Sequence, residues 1–328
     1  MTTAQPLTTT QTVCRAQRDS LAPVPHLFVP GRSETARNLE TLFDLKGRPG
    51  YYNPAAKTAL LRRAKKGPHD ELLVDFSRSE VQVELKAADF QLVAGDWTWQ
   101  ATAGGELLTA QGEWSEVCWQ REVPSDYLEI ELPLSHGWKI ERQMLLARED
   151  RFLLIADALL GPVKEAVELR YSHSLPIAGQ ASAQPQRETR ECHLEMNGRK
   201  AVCIVPPALA EWRSEFCHAE LTSGGGRLTL QQAAMGRNLF APLWIDLDPR
   251  RSLRPVTWRQ LTVGENLAVV GRDRAAAYRI QAGRDQWLIY RSLTPAGNRT
   301  ALGHNTLNSF DCLRILPNGK TEEILAID

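Results

Sequence analysis

The sequence predicts an all-β protein: one large antiparallel β-sandwich with a single short helix near its N-terminus. Three observations carry this reading. Beyond about residue 70 the apolar residues recur every second position, turn dipeptides interrupt the runs at short intervals, and no long helical period appears. Roughly fifteen or more short strands without intervening helices require antiparallel pairing, because parallel neighbours need long crossovers.

Taken in chain order, residues 1–25 are rich in Thr, Gln and Pro and read as a disordered leader. A helix is expected over 54–66, with Asn53 as cap, Pro54 in the first helical position and Gly67 as the stop. Val81-Gln-Val-Glu-Leu-Lys and Leu128-Glu-Ile-Glu-Leu alternate strictly, the pattern of a sheet with one wet face. Phe152-Leu-Leu-Ile-Ala is a continuous apolar run of strand length, expected to be buried on both faces. Val167, Leu169, Tyr171 and Leu175 share one face of a further strand, and Glu168, Arg170 and Ser172 the other. Asn197-Gly198 and Asn318-Gly319 are hairpin turns of the kind that needs positive φ at both central residues. Gly104-Gly105 and Gly283 mark others. The length allows two domains by arithmetic, but the uninterrupted pattern favours one sandwich spanning 26–328, and no fixed-period repeat suggests a propeller.

Composition narrows the function. The 39 basic and 39 acidic residues balance, which argues against nucleic-acid binding over the whole surface. The N-terminus has neither the basic nor the apolar region of a secretory signal, and no run is long enough to span a bilayer, so a cytoplasmic protein with no membrane partner is expected. The six cysteines form no C-x-x-C pair and read as small buried hydrophobes. Nucleophile-elbow, phosphate-loop, zincin and dinucleotide signatures are missing, and no cofactor is expected. His173 draws notice because alternation places an imidazole on the apolar face beside Tyr171. Trp97 and Trp99 lie two apart on one strand face, where flat rings suit core packing or stacking on sugars.

The segment from Trp138 to Ile177 resembles the β-sheet domain of heparinase II/III-like polysaccharide lyases. It has an Arg-bearing strand (Trp-Lys-Ile-Glu-Arg-Gln-Met-Leu-Leu-Ala), an acidic turn (Arg-Glu-Asp-Arg), a hydrophobic strand ending in Asp157, and then Leu-Arg-Tyr-Ser-His. The resemblance covers about 40 residues and implies a supersandwich-like fold. It also makes Asp157 and His173 candidate ligands of a structural metal. The family's first histidine corresponds here to Ile140, which leaves two ligands, too few for a closed zinc site. The catalytic α/α-toroid of those lyases has no counterpart in a chain with one short helix, so lyase activity does not follow with the sheet.

The expectation is therefore a heparinase-like β-sandwich without its own chemistry, binding carbohydrate or acting as a scaffold. One alternative is a lyase-type enzyme on acidic polysaccharide, with Arg142 neutralising a uronate and His173 or Tyr171 moving a proton. The other is a cytoplasmic assembly module whose partner is another protein chain.

Overall fold

A computed structural model describes residues 50–63, 70–87, 90–162, 164–251 and 254–328. The leader lies outside these, as does the last part of the expected helix. The described chain forms four antiparallel sheets.

The nine-stranded sheet runs in the order Tyr51–Asn53, Thr58–Arg62, Glu71–Asp75, Val81–Ala87, Phe90–Ala103, Val167–Pro176, Arg227–Gly236 and Ala219–Gly224, with Glu106–Leu107 paired to Phe90–Ala103. The eight-stranded sheet runs Ala181–Pro185, Cys192–Met196, Arg199–Val205, Asn238–Asp246, Phe152–Leu160, Lys139–Ala147, Ser125–Pro133 and Ser115–Arg121. A five-stranded sheet (Val256–Leu261, Ala275–Ala282, Asp285–Ser292, Phe310–Ile315, Thr321–Ile327) and a four-stranded one (Ala268–Val269, Val263–Glu265, Arg299–Ala301, His304–Thr306) complete the fold.

The sheets stack in that order. One core joins the nine- and eight-stranded sheets, through residues such as Val83, Leu169, Ile130 and Leu243. A second joins the other face of the eight-stranded sheet to the five-stranded sheet, with Phe152, Trp244 and Trp287 in contact. A third lies between the five- and four-stranded sheets, around Val263, Ala277 and Tyr290. The eight-stranded sheet is thus covered on both faces, which explains why Phe152–Leu160 reads as an unbroken apolar run: every residue from Phe152 to Leu159 is buried.

Two expectations are corrected. Residues 54–63 are not helical: Pro54–Lys57 form a turn and Thr58–Arg62 a strand paired to Glu71–Asp75. Asn53 does cap, its Oδ1 accepting from the backbone N–H groups of Ala55 and Ala56, but Lys57 takes φ 50° and turns the chain away. Burial of Ala59 and Leu61 in the main core outweighs local helix propensity. The second correction concerns Ser125–Pro133, whose alternating carboxylates do not all face water. Glu129 is buried under the five-stranded sheet, where Arg291 neutralises it together with Glu141. Near the ends of these strands Arg62 pairs with Glu71, Arg63 with Asp70 and Arg251 with Asp246.

Among the described residues no helix is long and apolar enough to cross a membrane.

Candidate functional site

Strand geometry alone brings four of the residues marked in the sequence together. Lys139–Ala147 and Phe152–Leu160 are antiparallel neighbours with Arg142 directly opposite Asp157. Both side chains point toward the nine-stranded sheet, where Val167–Pro176 directs Tyr171 and His173 at them from above. Strand Phe90–Ala103, next to it, supplies Trp97 and Trp99.

The result is a closed polar cluster. Arg142 grips Asp157 through two parallel bonds, Nε to Oδ1 at 2.7 Å and Nη2 to Oδ2 at 2.9 Å. Its remaining nitrogen, Nη1, donates to the Trp97 carbonyl at 3.0 Å. The guanidinium lies 3.7 Å from the Trp97 ring centroid and 4.8 Å from that of Trp114, a cation between two aromatic rings. Tyr171 donates its hydroxyl to Asp157 Oδ2 at 2.6 Å, and Trp97 Nε1 donates to His173 Nδ1 at 2.9 Å. Arg142 and Asp157 are 0% exposed, Trp97 0%, His173 1% and Tyr171 2%.

Burial sets the protonation states. The Tyr171 hydroxyl is pushed well above its ordinary value, first by burial and then by the Asp157 charge. Burial also works against charge on Arg142, yet Asp157 and Tyr171 more than offset it, and the guanidinium is held more firmly protonated than usual. His173 moves the other way, from 6.5 down to about 4, because burial disfavours the imidazolium and Arg142 adds to this against the pull of Asp157. Its ring is therefore neutral near pH 7, with Nδ1 the acceptor of the Trp97 bond. Nε2 then carries the proton, and it has no hydrogen-bond partner among the described residues.

A neutral buried histidine makes stability depend on pH with a definite sign. Between pH 6.5 and 4 the unfolded chain takes up a proton here that the folded chain refuses, so stability falls as pH falls through that window. The full loss is roughly 3 kcal/mol at about 1.4 kcal/mol per pKa unit. Urea midpoints measured across this window are expected to fall less steeply in His173→Gln than in the parent; identical slopes would refute the assignment.

The arrangement does not fit a metal. Asp157 gives both its oxygens to Arg142, whose charge would repel a cation placed beside His173. Among the described residues no group of three or more His, Cys, Asp or Glu side chains is arranged to hold an ion. His136 lies away from the cluster, largely exposed beside Glu106. Cys192, Cys203 and His193 are buried on neighbouring strands, their thiols pushed upward chiefly by burial. Trp97 gives its ring face to Arg142, and Trp99 packs half-buried against the same core.

Trp114 covers Arg142 and anchors its Nε1 on the Ser79 carbonyl, a contact that its position in the sequence does not announce. Sequence reasoning passed over the residues on the outward side of the same strands, Asp96, Thr98 and Ser174. Alternation about Trp97 and His173 is the signal that would have found them.

No family model and no curated protein matches the chain. Among solved structures it is similar to the heparan sulfate lyase HepC from Pedobacter heparinus, with a TM-score of 0.53 and 8% sequence identity over 78% of this chain and 47% of that one. A solved heparinase III structure gives a TM-score of 0.50 and 9% identity, over 79% of this chain and 47% of that one. The chain therefore shares the all-β architecture of part of these heparinases and spans about half their length. At such identity the likeness establishes the fold.

Proposed function

We propose that this chain is a heparinase-like β-sandwich that binds carbohydrate or serves as a scaffold, and that Arg142, Tyr171, His173 and Asp157 hold the fold together rather than perform chemistry. The observation that supports this most is the closure of the cluster. A uronate-neutralising Arg must meet substrate, and Arg142 is spent on Asp157 and enclosed by two tryptophans. A proton-abstracting base must reach a substrate carbon, and His173 Nε2 and the Tyr171 hydroxyl are both sealed from solvent. The heparan sulfate lyase likeness makes the enzymatic alternative the one to test.

Incubation with heparan sulfate, followed by ultraviolet absorbance of an unsaturated uronate product, is expected to give no signal above a heat-denatured control. A steady increase abolished by His173→Gln, in a variant with unchanged circular dichroism, would establish the lyase reading instead.

A further inference from the structure

The four-stranded sheet ends the stack, and its outward side carries residues that the stability of a single chain does not call for. Strand register sets Val269, Gly264, Thr300 and Asn305 side by side in one row across all four strands. Val263 and Ala301, one residue along, belong to the core beneath, so the row faces outward. The Thr300 hydroxyl donates to the Asn305 side-chain oxygen within it.

Three of these residues weaken the fold. Asn266-Leu267 and Leu302-Gly303 are the two-residue turns of the sheet's hairpins, with φ of 50° and 64° in the first and 50° and 78° in the second. Asparagine and glycine suit such positions; leucine does not, because its Cβ crowds the backbone at positive φ. Burial does not compensate either leucine. Leu267 is fully exposed, and Leu302, Val269 and Leu307 are each more than half exposed. Gly264 sits mid-strand, where glycine costs backbone entropy. It is not left-handed, and a Cβ there would come no nearer than 3.9 Å to any described residue beyond its chain neighbours. Neither conformation nor packing within the chain therefore requires glycine, and such a glycine marks close approach by another backbone.

The chemistry of the face selects the occupant. Charged residues make up 24% of the chain, yet neither the row nor the two turns carries one. A face of this kind meets its own copy about a twofold axis without setting like charges against each other. Leucine and valine also offer no flat ring for a sugar to stack on. With its turns the face spans roughly 20 Å by 20 Å, given about 4.8 Å between strands and about 3.3 Å per residue. That footprint, on the order of 400 Å², falls below the roughly 800 Å² per partner of a standard complex and suits a reversible contact. We propose that the outward face of the four-stranded sheet, centred on Gly264 and rimmed by Leu267, Val269, Leu302 and Leu307, joins two copies of this chain in a weak dimer. This goes beyond the carbohydrate or scaffold reading and does not rest on it.

Sedimentation velocity of the full chain over about 5–500 μM is the test, a range that brackets weak association. The weight-average mass is expected to rise with concentration toward twice that of the monomer. Gly264→Lys places a charge at the centre of the face and should weaken association at least about tenfold with the fold intact, as measured by circular dichroism. Leu267→Asn and Leu302→Asn should each weaken association while raising the melting temperature, because asparagine tolerates positive φ. A raised melting temperature with unchanged association in both would overturn the role of the leucines. A chain that stays monomeric throughout the range would overturn the dimer, and association undiminished in Gly264→Lys would overturn its placement on this face.

Discussion

Replacing Arg142 with alanine is expected to destabilise the fold by about 3–5 kcal/mol, because it strands the Asp157 carboxylate in the core with only Tyr171 to bond it. Urea-induced unfolding followed by tryptophan fluorescence measures this, since Trp97 and Trp114 flank the guanidinium. The asymmetry of buried ion pairs supplies the control. A double variant, Arg142→Met with Asp157→Leu, removes both charges and should recover most of the loss, whereas either single change should not. Arg170→Ala removes the exposed pair with Glu168 and should cost no more than about 1 kcal/mol. An Arg142→Ala protein as stable as the parent would mean that the cluster is open to water and would undercut the non-catalytic reading.

Trp287→Ala should be comparably damaging, at about 3–5 kcal/mol, for a different reason. Trp287 is fully buried where the eight- and five-stranded sheets meet, with ring centroids 5.1 Å from Trp244 and 5.5 Å from Phe152, and its Nε1 donates to Asp150 at 2.8 Å. Truncation leaves a cavity at the centre of this second core. The near-ultraviolet circular dichroism of the tryptophan group should collapse along with the melting temperature. A loss below about 1 kcal/mol, with the signal retained, would show that the two sheets do not share a tightly packed core.

Much of this architecture was legible in the sequence because a pleated strand with one buried face writes a period of two. Val81–Ala87 is buried at every second residue as its alternation demands, and Val167–Pro176 behaves in the same way from Leu169 onward. Asn197 and Gly198 take φ of 51° and 71°, as a hairpin turn of that kind requires. At Asn318–Gly319 only the glycine is left-handed, at φ 80°, because Pro317 fixes a negative φ and the Gly319 amide closes a turn onto Leu316. What stayed hidden was non-local. Nothing around Thr58–Arg62 announces its pairing with Glu71–Asp75, and nothing near Glu129 reveals an Arg291 from a sheet over 150 residues later in the chain. His173 stood out from its place on an apolar face and Trp97 from its spacing with Trp99, while Arg142 and Asp157 came with the family resemblance. Their closure depended on the meeting of two sheets and on Trp114 arriving from a loop.

The eight-stranded sheet also imposes an order of assembly. Phe152–Leu160 acquires one neighbour, Lys139–Ala147, from the residues just before it, but its other neighbour is Asn238–Asp246. Until the ribosome has released that later segment, an apolar strand destined for the middle of the molecule presents a bare row of N–H and C=O groups along one side. Such an edge is a template for pairing with another nascent chain, and long-range closure of this kind is slow. The layering that buries this strand on both faces in the finished protein therefore leaves its half-synthesised form vulnerable, and soluble yield should depend on how quickly residues 161–246 follow.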